Sequence, residues 1–150
     1  GHGSSGVLYG INFNMLICKE NGNIDLLRHK HLILFACHSL DFIKRHGLIS
    51  ALGFGEIPTS DYDIANGKLH GLSIKDLNSS DVEYIKTALV RIWKNSLAEA
   101  NITDRNCFHQ AFSFQTIKEI VKCLTTCESR NFRLIADVLY YLKTDMVFID

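Results

Sequence analysis

Cys107, His109, Cys123 and Cys127 are four side chains of the kinds that hold zinc, and the last two stand four residues apart, so on a helix they point the same way. Four such ligands are the minimum for a closed structural site. Their spacing is not that of a CxxC knuckle, however, and Cys123 and Cys127 border the apolar positions Ile120 and Leu124, where a free Cys behaves as a small hydrophobe. Core-edge thiols are the preferred reading, and no metal or other cofactor is expected. Cys107 also invites a nucleophile reading. At the start of a helix its thiolate is stabilised by the dipole, and it would borrow a base from His29, His31, His38, His46 or His70.

The string Asn106-Cys107-Phe108-His109 resembles the Asn-Cys-x-His motif of lecithin-retinol-acyltransferase-like hydrolases, which implies a Cys107-based thiol hydrolase. The resemblance covers four residues. The base-bearing upstream strand of that family has no counterpart, because His29-Lys30-His31 opens a predicted helix or the loop before it. Asp61-Tyr62-Asp63 with Asn66-Gly67 has the flavour of a calcium loop, but the turn glycine comes one place late and Leu72 stands where a bidentate Glu is needed. Gly53-Phe54-Gly55 lacks the third glycine of a dinucleotide fingerprint and reads as a flexible turn. No Gly-x-Ser-x-Gly, His-Glu-x-x-His or Gly-Lys-Ser/Thr string occurs.

Binding surfaces are the other class of chemistry. Arg28, Lys30 and the neighbouring His29 and His31, the second cluster Lys44-Arg45-His46, and Arg130 with Arg133 would together make a positive patch for RNA or an acidic partner. The plainer reading of Lys44 to His46 is a helix C-terminus whose dipole favours cations. Sixteen basic against sixteen acidic residues give zero formal charge, which argues against a surface built to neutralise many phosphates. Tyr140 and Tyr141 are amphipathic aromatics suited to an interface, whereas Trp93, at helical spacing, belongs to the core.

The elements that must position these residues follow from pattern. With 47% hydrophobic and 21% charged residues, the 150-residue chain can bury a core and is not disordered. Its longest apolar run, Leu32 to Cys37, is far short of the roughly 18 residues a membrane helix needs. Five scattered cysteines, an odd number, favour free thiols in a reducing compartment, cytoplasm or nucleus. Residues with AT-rich codons (Phe, Tyr, Met, Ile, Asn, Lys) outnumber those with GC-rich ones (Gly, Ala, Arg, Pro) two to one, which suggests a viral source. Residues 1–6 look like an expression-tag remnant and are set aside. Residues 7–150 read as one domain cut from a longer protein.

Ile11, Phe13, Met15 and Ile17 alternate as in a strand, and Asn21-Gly22 would turn it back through residues 24–27. Residues 32–43 read as a buried helix closed by Gly47. Residues 53–73 are loop-rich, with a small hairpin about Asn66-Gly67. Ser80 and Glu83 fit a capping box for a helix running to about Ala100, with Lys86, Thr87, Lys94 and Asn95 on its wet face. Ile117, Ile120, Val121 and Leu124 mark a helix over 114–127, predicted to pack antiparallel on one carrying Leu134, Ile135, Val138, Leu139 and Leu142. Residues 146–149 read as a closing strand. The fold expected is α+β and helix-dominated, about four helices with a small sheet from an N-terminal β-hairpin and a short C-terminal strand. The function expected is a non-enzymatic protein-binding module that forms a homodimer through the aromatics of its last helix.

Overall fold

A computed structural model of the chain describes residues 2–9, 15–18, 23–58, 61–100 and 104–150. The fold is α+β and helix-dominated. Two compact units share the chain, Gly1–Ile57 with Thr144–Asp150, and Pro58–Lys143.

In the first unit, β1 (His2–Gly3), β2 (Val7–Tyr9) and β3 (Met15–Cys18) form an antiparallel sheet in that order, with Leu8 opposite Ile17. Two of the residues set aside as tag-like thus belong to the sheet, and a Cβ at Gly3 would lie 2.5 Å from the Cys37 carbonyl oxygen. The N-terminal hairpin is present, but its second partner is Val7–Tyr9 and not residues 24–27. Asn23–Leu27 winds into a 3₁₀ turn instead, stapled by Arg28 Nε on Asp25 Oδ1 at 2.7 Å, and Ile24 is buried in the core. Ile11, Phe13 and the Asn21-Gly22 turn lie outside the described residues.

The segment expected as one helix over 32–43 is a strand and then a helix. β4 (Leu32–Leu34) pairs in parallel with β5 (Ala51–Gly53), which pairs antiparallel with β8 (Val147–Ile149), so the C-terminal strand joins a sheet separate from the hairpin. A strand buried in a parallel pair shows a continuous apolar run, as a buried helix does, and periodicity does not separate them. His38 at φ 54° turns the chain out of the strand, and α1 (Ser39–His46) follows, ending on Gly47 at φ 60° after Lys44, Arg45 and His46 as predicted.

Gly53-Phe54-Gly55 is no flexible turn. A Cβ on Gly53 would come within 2.7 Å of the Leu40 Cα, so glycine alone lets β5 lie this close to α1. The Phe54 amide donates to Ser39 Oγ at 2.8 Å, while Ser39 Oγ donates to the Leu34 carbonyl at 2.6 Å, which ties strand and helix start together. Phe42, Ile43, Leu48 and Ala51 fill the core below.

The second unit opens with α2 (Asp61–Asn66), a short helix at the residues that superficially resemble a calcium loop. A small hairpin follows, β6 (Lys68–Leu69) with β7 (Leu72–Ser73), but it turns at His70 and Gly71, φ 50° and 82°, and Gly67 instead ends α2 through its amide on the Ile64 carbonyl. Next comes α3 (Ser79–Glu99). Its capping box uses Asn78 and Asp81, two residues before the predicted pair. Asn78 Oδ1 accepts from the amides of Ser80 and Asp81, and Asp81 Oδ2 accepts from the amide of Asn78. Lys86, Thr87, Lys94 and Asn95 are exposed, as the periodicity predicts.

Two further helices, α4 (Arg105–Thr126) and α5 (Phe132–Thr144), complete the unit. Asp104 caps α4 through the amides of Asn106 and Cys107, so the helix begins about nine residues before the predicted start. Its main neighbour is α3, not α5. Trp93 of α3 meets Phe108 and Phe112 of α4 edge-on, with centroids 5.4 and 6.2 Å away. Ile135, Val138, Leu139 and Leu142 of α5 are buried. Among the described residues no helix is long and apolar enough to cross a membrane.

Candidate functional site

The row Ile117, Val121 and Leu124 was expected to pack on the last helix, and the structure turns it to solvent. Phe114 is 57% exposed, Ile117 48%, Val121 53% and Leu124 48%. Spaced three, four and three residues apart, they form one stripe along α4. The buried face lies on the opposite side, made by Phe108, Phe112, Gln115, Thr116, Glu119 and Cys123.

Polar groups can fill that buried face because each has a partner, on α3 for Glu119 and Gln115 and within α4 for Thr116. Arg91 holds Glu119 with Nε on Oε1 at 3.0 Å and Nη2 on Oε2 at 2.7 Å. This contact, more than any other, raises the guanidinium pKa above its ordinary value. Gln115 Nε2 donates to Glu99 Oε1 at 2.6 Å, and the Thr116 hydroxyl donates to the Phe112 carbonyl at 2.7 Å. A hydropathy pattern assigns Gln115, Thr116 and Glu119 to solvent and the aliphatic row to the core. The hydrogen-bond partners, interhelical for Gln115 and Glu119, reverse that assignment.

The four proposed zinc ligands do not converge. Cys107 and Cys123 sit sixteen residues apart on one helix, about 24 Å along its axis. Cys123 is buried, its thiol donates to the Phe132 carbonyl at 3.2 Å, and burial, then the adjacent Cys127, pushes its pKa up to about 12. His109 and Cys127 are half-buried. Among the described residues no three His, Cys, Asp or Glu side chains gather as a metal site.

Cys107 stands in the first turn of α4, as a dipole-activated thiol would, and is exposed. Its partner is a carboxylate and not an imidazole: Sγ donates to Asp104 Oδ2 at 3.4 Å. That hydrogen bond and the negative charge beside it raise the thiol pKa, the reverse of activation.

A cleft of about 920 Å³ opens where the start of α3 faces the turn between α4 and α5, lined by Asn78, Asp81, Tyr84, Cys127 and Arg130 among others. Its one buried carboxylate is fully engaged. Asp81 accepts from Ser129 Oγ at 2.6 Å and Asn131 Nδ2 at 2.7 Å as well as from the Asn78 amide. Burial pushes its pKa up, and these three hydrogen bonds together outweigh burial and hold it below the ordinary carboxylate value. Burial, reinforced by Cys123 and Cys127, takes the Tyr84 phenol to about 12. Neither group is tuned to exchange a proton near neutral pH.

The basic candidates are spread over both units. Arg28 and Lys30, exposed in the first, follow the 3₁₀ turn, and Arg28 is paired with Asp25. Arg130 and Arg133, exposed in the second, stand just before α5 and in its first turn respectively, Arg133 with its guanidinium 5.7 Å from the Phe132 ring centroid. Tyr140 is half exposed, whereas Tyr141 stacks on His70 with centroids 4.6 Å apart. Compared with protein-family models, with curated proteins and with solved structures, the chain matches none.

Proposed function

We propose that this chain is a non-enzymatic protein-binding module whose contact surface is the outward face of α4. The observation that supports this reading is the row Phe114, Ile117, Val121 and Leu124, four large apolar side chains about half in water on a helix whose other face is already packed. A single exposed aliphatic residue is ordinary, whereas an aligned row on one helix has the form of the surfaces that receive a partner helix. Tyr140 offers a second exposed aromatic on α5. The five free cysteines accord with a reducing compartment such as cytoplasm or nucleus.

Selection from a displayed library of helical peptides tests it. Binders are expected that lose their grip on Ile117→Ser/Val121→Ser and keep it on Cys107→Ser. Binders indifferent to the double substitution, or a library that yields none, would defeat the reading.

A further inference from the structure

We infer that the partner segment seated on α4 is an amphipathic helix carrying acidic side chains along one edge of its apolar face, an inference that rests on the proposed function above. Phe114, Lys118 and Lys122 follow one another at four-residue steps, so the two lysines border the stripe along a single edge. Both lysines are exposed, and among the described residues neither forms an ion pair. Lys118 Nζ lies 5.4 Å from the Phe114 ring centroid, which keeps its charge beside the apolar row. The opposite edge, Ser113 and Ile120, carries no charge. A helix laid along the row therefore meets positive charge on one side only, and carboxylates there complete the match.

Symmetry chooses a single helix over a second copy of this chain. The four side chains leave on the order of 350 Å² of apolar surface in water, the extent of one helix face. Their spacing reads the same in both directions, so a two-fold copy would set Phe114 against Leu124 and Ile117 against Val121. That two-fold, however, places Lys118 and Lys122 of both copies along the same edge with no carboxylate between them. An acidic helix meets the same apolar row without that repulsion.

Three synthetic helical peptides test the inference, identical in a leucine row of this spacing and differing only in Glu, Gln or Lys along one edge. Each is fluorescently labelled and titrated with the full chain by anisotropy, at low and high salt. The Glu peptide is expected to bind about fivefold or more tighter than the Lys peptide at low salt, a ranking that collapses at high salt and in Lys118→Gln/Lys122→Gln. Equal binding of all three, lost in Ile117→Ser/Val121→Ser, would overturn the acidic partner and leave the α4 surface standing. No binding, or binding untouched by the serine substitutions in a variant of unchanged circular dichroism, would overturn both. A mass that doubles with concentration and reverts in the serine variant would make the occupant a second copy and overturn the inference.

Discussion

Glu119 and Ile117 stand two residues apart on α4 with the usual exposures exchanged: the carboxylate is 8% exposed and the aliphatic side chain 48%. Arg91 makes this arrangement stable. Its two hydrogen bonds replace the water that Glu119 gives up, and they need α3 at one height and one rotation. Buried polar contacts of this kind fix the register of two helices, and α4 is thereby held with its apolar row outward.

Glu119→Ala should destabilise the second unit by about 2 kcal/mol, less than for a fully buried pair because the Arg91 side chain is 34% exposed. Urea unfolding checks it. Arg91→Leu/Glu119→Leu, which leaves no charge unpaired, should lose less than Glu119→Ala. If the double variant is the less stable, the pair contributes more than its own desolvation and the α3 and α4 contact is ionic at heart.

Asp81 predicts a pH dependence. Its folded pKa lies below the ordinary carboxylate value, so its contribution to stability is complete above about pH 4 and falls away as the pH drops through the folded pKa. At neutral pH Asp81→Asn should be less stable than the natural chain, and the gap should close on acidification. Thermal melts at a series of pH values show whether it does. A gap that stays constant into acid would mean that Asp81 acts through its shape and not its charge.

Alkylation rates distinguish the thiols. Cys107 should react with iodoacetamide as an unactivated thiol whose rate climbs through and above its ordinary titration range, because Asp104 raises its pKa. Asp104→Asn should accelerate the reaction at neutral pH. Cys123, buried with a pKa pushed up to about 12, should be labelled only on unfolding. Rapid labelling of Cys107 at neutral pH that Asp104→Asn slows would restore it as a nucleophile.

Gly53→Ala should be among the most damaging small changes in the first unit, since its Cβ would meet backbone atoms of Leu40 at 2.7 and 2.8 Å. A loss of about 2 kcal/mol or more in urea unfolding is expected. A neutral result would show that α1 can move away from β5.

Local chemistry made part of this legible from residues alone. The Gly47 stop and the wet face of α3 each depend on neighbours within a few positions, and the closing strand, though it pairs with residues 51–53, is a run too short to be read as a helix. The capping box was legible in kind and two residues off in place, because Asn78-x-x-Asp81 and Ser80-x-x-Glu83 offer the same chemistry and only the path of the preceding chain selects one. Residues 32–34 could not be told from a helix, since their strand character comes from pairing with residues 51–53. The α4 surface was misassigned for the same kind of reason. Gln115 and Glu119 are buried because Glu99 and Arg91 face them, and a pattern read one helix at a time does not contain that fact. One signal was available: Phe108 and Phe112 at i, i+4 already supply an apolar row on the side away from Ile117 and Val121, so α4 has two apolar faces where a surface helix needs one.

The measurement that bears most directly on the α4 surface is an amide NMR titration of the isotope-labelled full chain with the Glu-edged leucine peptide. Shifts should concentrate at Phe114, Ile117, Lys118, Val121 and Leu124 and disappear in Ile117→Ser/Val121→Ser, while the amides around Asp81 and Ser129 stay still. Shifts centred on the cleft of Asn78, Asp81 and Tyr84, or no shifts at saturating peptide, would contradict a binding surface on the outward face of α4.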